Sequence, residues 1–237
     1  MVRLNASVIT MNPLRLREEL ELLQDTQISH LHLDIMDGSR VPRYGLYPEI
    51  VDSLAVTTDF ILDVHLMVRD PEFALRQIKE ISRVDTVSFH VSDDMENALR
   101  TIDLIRGMGC RPLVAVNLST SVNVVERLVR FGDVDGYNFL AIHPGVVVQE
   151  KRINQMLASI PEFLDVFKPS GADVCHQCDG GVTFDSIGEL IKLGVNNLVL
   201  GTGALYKHRN MYSPDLDAPV VRLNLERITD ICNQYVL

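Results

Sequence analysis

The strongest constraint on the fold is a regular alternation between two hydrophobic periods. Short apolar runs, typical of buried β-strands, alternate with longer segments whose apolar residues recur at helical spacing. The strand-like runs are residues 3–9, 30–35, 59–66, 86–90, 113–117, 136–142, 173–178 and 197–200. The helix-like segments are residues 14–23, 48–54, 71–81, 95–108, 122–131, 153–167, 184–193 and 221–235. This alternation predicts an α/β protein in which helices connect parallel strands.

Eight strands, each followed by a helix, is the element count of a (β/α)8 TIM barrel. A doubly wound open sheet is the main alternative, because it is assembled from the same strand and helix units. The length of 237 residues is usual for one barrel. No linker, low-complexity tract or short repeat divides the sequence. We therefore expect a single TIM-barrel domain over residues 1–237.

Composition argues against several classes of partner. The net charge of −10 argues against binding to nucleic acids or anionic membranes, because both are also negatively charged. No apolar run approaches the roughly 18 residues of a membrane span, and no signal peptide is recognisable. We expect a cytoplasmic protein without a nucleic-acid or membrane partner. Cys175 and Cys178 stand three apart on a strand, so they should face opposite sides and play a structural role.

Polar residues interrupt the second predicted strand in the stretch HLHLDIMDGSR, residues 30–40. His32 and Asp34 are two residues apart, so both side chains share one face of the strand. If that face lines the barrel, both side chains reach its carboxyl end, where TIM barrels perform chemistry. His65 on the third strand and Asp179 after the seventh could converge there. Two imidazoles and two carboxylates suit zinc, manganese, iron or cobalt, although hydrogen-bonded core histidines are an alternative explanation.

Glycines follow the last two predicted strands. The sequence DGG contains Gly180 and Gly181, and the sequence GTG contains Gly201 and Thr202. Glycines allow backbone N–H groups to approach an anion at a helix N-terminus. Loops seven and eight commonly form the phosphate site of a TIM barrel, so the two sequences together favour a phosphorylated ligand. Either one alone could be an ordinary turn.

Four sequence motifs together resemble ribulose-phosphate 3-epimerases. They are HLDIMDG, DVHLMV, CDGGV and LGTGALY, and the resemblance extends from NASVIT to GTGALY. It implies an isomerase that epimerises C3 of a phosphorylated ketose, by default interconverting ribulose 5-phosphate and xylulose 5-phosphate. It also implies one catalytic divalent metal ion held by His32, Asp34, His65 and Asp179.

The resemblance further implies that Asp34 and Asp179 are the acid/base pair. Epimerisation removes a proton next to a carbonyl and returns one to the opposite face, so two groups must flank the substrate. A metal ion would stabilise the enediolate between these steps. The implied substrate contacts are Ser7, Met36, His65, Met67, Gly145, Gly180, Gly181, Gly201 and Thr202. We also expect a homo-oligomer.

The sixth loop departs from the family pattern. The family sequence PGFGGQ is PGVVVQ here, with Val147 and Val148 in place of glycines. β-Branched residues do not readily adopt positive φ angles. Leu140 also stands where a methionine is usual, and Arg43 where an asparagine is usual. Relative to the family pattern, the implied metal and acid/base residues are thus unchanged, whereas several implied substrate-contacting residues are replaced.

These departures leave alternative functions open. The protein could epimerise a different ketose phosphate, such as a hexulose 6-phosphate. It could also be a lyase or isomerase that uses the same enediolate chemistry. A non-catalytic sugar-phosphate-binding barrel is a further alternative, against which the pair Asp34 and Asp179 argues, because a pure binding protein does not need opposed carboxylates.

Overall fold

The computed structural model describes residues 2–91, 94–143, 152–167, 174–210, 212–213 and 215–235. Within these ranges, eight parallel strands form a closed barrel in sequence order. They are β1 Arg3–Ser7, β2 His30–Met36, β3 Ile61–Met67, β4 Val84–His90, β5 Arg111–Asn117, β6 Gly136–Leu140, β7 Cys175–Asp179 and β8 Asn197–Leu200. β1 pairs with β8 from Arg3 opposite Asn197 to Ala6 opposite Leu200, which closes the ring. The TIM-barrel prediction is confirmed, and the open-sheet alternative is wrong.

Helices alternate with the strands around the outside of the ring. They are α1 Leu16–Glu21, α2 Glu49–Thr57, α3 Pro71–Gln77, α4 Met95–Gly107, α5 Val122–Phe131, α6 Ile153–Val166, α7 Phe184–Lys192 and α8 Ala218–Asn233. Asp70 and Asp94 cap α3 and α4 by accepting hydrogen bonds from backbone N–H groups of the first turn. None of the helices in the described ranges has both the length and the apolar character needed to cross a bilayer.

Two of the predicted element boundaries that are wrong have identifiable causes. The first strand ends at Ser7, because the next three residues, Val8–Thr10, form a 3-10 turn. The third helix was expected to reach residue 81 but ends at Gln77. The backbone N–H groups of Lys79 and Glu80 instead donate to the side chain of Asp52, each at 2.8 Å. The carboxylate of Asp52, on α2, thus accepts the hydrogen bonds that these two N–H groups would have made within a longer α3.

Apolar and polar residues alternate along β2, and they face opposite sides of the strand. Leu31, Leu33 and Ile35 point outward, and all three are buried in the main apolar cluster between the strands and the helices. The intervening His32 and Asp34 are also buried, but they point into the barrel. A parallel strand covered on both faces is expected to be buried along its whole length. The pattern therefore directs the polar residues of β2 into the ring.

The barrel interior is unusually polar. Interiors of this fold are usually filled by branched aliphatic side chains. Here the fully or nearly fully buried inward residues include Asn5, His32, Asp63, Thr86, Ser88, Asn138 and Gln177. They hydrogen-bond to one another; for example, Asn138 Nδ2 donates to Ser88 Oγ at 3.1 Å. A hydrogen-bonded polar layer therefore lies beneath the mouth of the barrel.

The cysteines lie in the interior of the protein, and Cys175 and Cys178 have the orientations expected from their spacing. All four are free and buried. Cys178 belongs to the outer apolar cluster, whereas the Cys175 thiol accepts a hydrogen bond from Asn197 Nδ2 at 3.5 Å inside the ring. The two residues therefore face opposite sides of β7.

Candidate active site and metal centre

The four predicted metal ligands converge at the carboxyl end of the barrel. His32 and Asp34 come from β2, His65 from β3 and Asp179 from the end of β7. Asp34 and His65 are direct neighbours in the β2–β3 register. Each residue offers one ligand atom, these atoms all lie within 4.8 Å of one another, and all four residues are buried.

The distances between these atoms are those of ligands around one small cation. His32 Nε2 lies 3.3 Å from Asp34 Oδ1 and 3.4 Å from Asp179 Oδ2. His65 Nδ1 lies 3.3 Å from the same Asp34 oxygen and 3.2 Å from the same Asp179 oxygen. Nitrogen and oxygen ligands at about 2.0–2.1 Å from a tetrahedral metal are separated by about 3.3–3.4 Å. The four contacts match that separation.

The two imidazole nitrogens that face this centre are otherwise unsatisfied. Apart from these contacts with Asp34 and Asp179, neither His32 Nε2 nor His65 Nδ1 has a hydrogen-bond partner among the described residues, although both atoms are buried. Buried polar atoms are rarely left unpaired in native proteins. A divalent cation would accept both lone pairs and neutralise the two carboxylates. The residues present therefore fit a transition-metal ion.

The charges of the site are strongly coupled. Burial disfavours the charged imidazolium of His32, yet the carboxylates of Asp179, Asp63 and Asp34 outweigh burial and hold its pKa well above the ordinary value. Burial also lowers the pKa of His65, but contacts with Asp179 and Asp34 produce a net rise. The carboxyl pKa values of Asp34 and Asp179 are lowered, because the neighbouring histidines outweigh burial. The site thus favours positive charge, supplied by protons or by a metal ion.

A second layer of side chains supports the two histidines. His32 Nδ1 lies 2.5 Å from Asp63 Oδ2, and Asp63 is fully buried. His65 Nε2 lies 3.0 Å from His90 Nε2, and the two ring planes are inclined by 22° with centroids 5.1 Å apart. Sequence reasoning assigned no role to Asp63. Its spacing of two residues from His65 places Asp63 on the inward face of β3, but its pairing with His32 depends on the β2–β3 register.

The predicted anion-binding loops flank this centre. Gly180 and Gly181 have φ angles of +72° and +75°, and a Cβ atom on Gly180 would lie 2.4 Å from Ile142 Cγ1. Only glycine fits the backbone there. A Cβ atom on Gly201 would lie 3.8 Å from Ser7 Cβ, so the start of loop eight lies beside the end of β1.

The loop that follows β8 does not lead directly into a helix N-terminus, in contrast to the prediction. Residues 202–208, which begin with the exposed Thr202, form turns, and the Gly201 carbonyl accepts hydrogen bonds from the N–H groups of Ala204 and Tyr206. The next helix, α8, begins only at Ala218. Loop seven, in contrast, leads directly to α7 through a capping box at Thr183. Only loop seven therefore offers the expected helix N-terminus.

Apolar side chains line one side of the mouth. Met36 and Met67 are register partners at the ends of β2 and β3, and with Val41 they form a small apolar cluster separate from the main core. Leu140 is the register partner of Asp179. Gly145 and the remainder of the PGVVVQ sequence lie outside the described residues.

Asp37 is a further residue that sequence reasoning did not identify. Its carboxylate accepts hydrogen bonds from the backbone N–H groups of Ser39, Arg40 and Arg69 at 2.8, 3.1 and 2.8 Å. These bonds lower the pKa of Asp37, against the opposing effect of burial. The side chain therefore connects the loop that follows β2 to the loop that follows β3, beside the site. An Asp directly before a turn glycine is the sequence signal for such a local acceptor.

Comparison with known proteins gives one consistent family. Residues 3–205 match the family model described as "Ribulose-phosphate 3 epimerase family". The ribulose-phosphate 3-epimerase of Bacillus subtilis is 31% identical over 205 residues, which cover 85% of this chain and 91% of the relative. The ribulose-phosphate 3-epimerase of Methanocaldococcus jannaschii is 27% identical, with coverage of 87% and 86%. The solved 3-hexulose-6-phosphate synthase from Salmonella typhimurium superposes with a TM-score of 0.68 over 99% of this chain and 100% of that chain, at 12% identity, and so shares the fold.

Proposed function

Because the chain belongs to the ribulose-phosphate 3-epimerase family, we propose that it is a metal-dependent isomerase that epimerises C3 of a phosphorylated ketose. Ribulose 5-phosphate and xylulose 5-phosphate are the default pair. The observation that carries the proposal is the pair of carboxylates, Asp34 and Asp179, at one cluster of ligand atoms. The two residues come from β2 and β7, which are not adjacent in the ring, so their side chains approach the cluster from different directions.

Inversion at C3 requires one carboxylate on each face of the ketose. One removes the C3 proton from one face of the ketose, and the other delivers a proton to the opposite face; exchange of these roles gives the reverse reaction. An aspartate carboxyl is ionised at neutral pH and can act as the base, and its protonated form then acts as the acid. A bound divalent ion, held by His32, Asp34, His65 and Asp179, would polarise the substrate oxygens and stabilise the negative charge of the enediolate.

The surrounding residues supply recognition in this proposal. Ser7 hydrogen-bonds the sugar, and His65 contacts the substrate beside its ligand atom. Met36 and Met67 shield the reacting carbons from water with their buried apolar side chains. The backbone around Gly180, Gly181, Gly201 and Thr202 holds the phosphate, together with Gly145 of the sixth loop.

A different ketose phosphate, such as a hexulose 6-phosphate, is the second candidate substrate. The observation that favours it is the replacement of expected pocket residues close to the chemistry. Leu140 pairs with Asp179 in the β6–β7 register, so its side chain lies beside a proposed proton carrier. The valines of the sixth loop add to this difference in the sequence.

Proton exchange in D₂O tests both the reaction and the substrate. The metal-reconstituted protein is incubated with a panel of pentulose and hexulose phosphates, and deuterium at C3 is measured by mass spectrometry. We expect exchange at C3 together with inversion, fastest for the true substrate. Metal and phosphate binding without C3 exchange for any ketose would instead indicate a binding protein. The single-domain extent and the homo-oligomer stay predictions, which limited proteolysis and analytical ultracentrifugation would check.

A further inference from the structure

The two histidines of the centre present different ring nitrogens to it. His32 faces the centre with Nε2 and His65 faces it with Nδ1. A neutral imidazole that binds a metal through one nitrogen carries its proton on the other. The two ligands must therefore be opposite tautomers, with Nδ1–H in His32 and Nε2–H in His65. Each ring needs a hydrogen-bond partner that selects the correct form.

We propose that Asp63 and His90 are positioning residues that hold His32 and His65 in these opposite tautomers and thereby prepare the centre for its metal. The inference rests on the metal site of the proposed function. It adds two residues that would not touch the metal or the substrate.

Asp63 selects the tautomer of His32. Its carboxylate can only accept, so its 2.5 Å contact with His32 Nδ1 requires the proton on that nitrogen. Two further donors fix the orientation of the carboxylate: Thr86 Oγ1 at 2.6 Å from Oδ1 and Asn5 Nδ2 at 3.1 Å from Oδ2. Among the described ion pairs, Asp63 contacts no arginine or lysine, and its one partner is the imidazole of His32. The arrangement is a carboxylate–histidine–metal triad.

A competing partner of His32 would select the other tautomer. Gln177 Nε2 lies 3.4 Å from His32 Nδ1, and an amide N–H can only donate. This contact is nearly 1 Å longer than the contact with Asp63, and a bond to a charged acceptor is the stronger kind. The Gln177 carbonyl oxygen is also engaged, because it accepts from Asn197 Nδ2 at 2.8 Å. Asp63 therefore outweighs Gln177.

His90 selects the tautomer of His65. Their Nε2 atoms lie 3.0 Å apart, so one nitrogen must donate and the other must accept. Because His65 Nδ1 offers its lone pair to the centre, His65 Nε2 carries the proton and donates to His90. The hydrogen bond joins the edges of two rings inclined by only 22°, with centroids 5.1 Å apart, and so restricts rotation of both side chains. His90 thus fixes the orientation as well as the tautomer of its neighbour.

The tautomers can be read directly in the intact protein. Two-bond ¹H–¹⁵N correlation spectra of zinc-loaded, ¹⁵N-histidine-labelled protein distinguish a protonated Nδ1 from a protonated Nε2. Loss of a signal in His32→Gln or His65→Gln assigns each ring. We expect zinc on Nε2 of His32 and on Nδ1 of His65. The same tautomer in both rings would overturn the inference while leaving the metal site intact. Failure to bind zinc at all would instead overturn the metal-dependent function.

Variants test the two positioning residues separately, with zinc affinity measured by chelator competition. Asp63→Asn and His90→Phe should each weaken zinc binding about 10- to 100-fold, as is usual for loss of a partner behind a ligand. His90→Gln retains a carbonyl acceptor and should restore most of the affinity lost in His90→Phe. Unchanged affinity in Asp63→Asn and His90→Phe would contradict the proposal.

Asp85→Asn is the matched control for Asp63→Asn. Asp85 also belongs to the barrel strands, but it pairs with Arg111 Nε at 3.0 Å and with no proposed metal ligand. Its replacement should leave zinc affinity and both histidine tautomers unchanged. If Asp63→Asn does not fold, the loss of zinc affinity in His90→Phe and its recovery in His90→Gln still test the proposal.

Discussion

Asp34 and Asp179 contact the same two imidazole nitrogens, although they lie on strands that are not adjacent. The Asp34 oxygen is 3.3 Å from both His32 Nε2 and His65 Nδ1, and the Asp179 oxygen is 3.4 and 3.2 Å from them. Two carboxylates therefore share two imidazoles. Neutralising either carboxylate changes the charge of the whole group, so the proton-transfer and metal-binding roles must be measured separately.

We predict that Asp34→Asn and Asp179→Asn each reduce epimerisation by at least about 100-fold, the lower range for loss of a general acid or base. Asparagine keeps the size of the side chain but cannot accept a proton. C3 exchange in D₂O should be measured from both epimers, with metal content determined for every variant. A variant that exchanges both epimers at the wild-type rate would exclude its residue as a base. Asp59→Asn, at a fully exposed carboxylate, is the control and should be unaffected.

We predict that metal binding at pH 7 releases protons. The pKa of His32 is well above its ordinary value and that of His65 is raised, so the metal-free site holds protons that the metal must displace. Apparent metal affinity should therefore rise with pH until His32 has lost its proton. Calorimetry in two buffers of different ionisation enthalpy measures the release. A binding enthalpy that does not depend on the buffer would contradict this prediction.

The same pKa shifts predict how the metal-free protein responds to pH. A raised pKa in the folded state contributes stability below the unfolded value of about 6.5. That contribution is lost as pH rises through the folded value. The melting temperature of the metal-free protein should thus decline above neutral pH as His32 deprotonates. His32→Gln should flatten this decline, and a profile identical to wild type would show that His32 is not the responsible group.

We predict a large stability loss from removal of a buried arginine outside the site. Arg209 and Glu19 form an ion pair whose side chains are only 2% and 1% exposed, with Nη1 and Oε2 2.7 Å apart. Arg209→Met leaves the Glu19 carboxylate buried without its cation, which should cost about 3–5 kcal/mol in the free energy of unfolding. Arg100→Met is the control, because its ion pair with Glu96 is largely exposed and should be worth less than about 1 kcal/mol. Urea denaturation compares the two, and equal losses would refute the prediction.

We predict that the sixth loop determines substrate preference. Val147 and Val148 lie outside the described residues, and only their side-chain chemistry motivates the substitution. If they weaken contacts to the phosphate, Val147→Gly with Val148→Gly should lower KM for a pentulose phosphate by about 10-fold or more, since a lost hydrogen bond to a charged group is worth about 1.5–3 kcal/mol. If they contact a longer sugar, the double variant should lose activity on a hexulose phosphate. No change with either substrate would exclude a role for this loop.

Hydrophobic period and residue type were sufficient to predict the barrel. The alternation in β2 identified an apolar outer face and a polar inner face, and His32 and Asp34 lie on the inner face as expected. The end of α3 at Gln77 was not predictable in the same way, because it depends on Asp52, which belongs to a different helix. Local periodicity contains no information about an acceptor supplied by another element.

The four residues that converge at the candidate metal centre were predictable, but the residues that support them were not. His32, Asp34, His65 and Asp179 are residue types that bind metals, and they stand at strand ends. Asp63 lies deeper in β3, where a lone carboxylate between apolar residues has no distinctive local pattern. Its role depends on the β2–β3 register, which places it directly opposite His32. Such pairings become visible only when the neighbours of each strand are known.

Closure of the ring by β1 and β8 determines when during synthesis the site can exist. Ser7 belongs to the first strand, Asp179 ends the seventh, and Gly201 directly follows the eighth. A nascent chain that has left the ribosome only as far as β6 carries His32, Asp34 and His65 but lacks the fourth ligand and the strand that completes the barrel. If these four residues hold the proposed metal ion, its capture by the complete ligand set is confined to the late stages of translation or to the finished chain, and incomplete products cannot compete with the mature protein for the ion through this site.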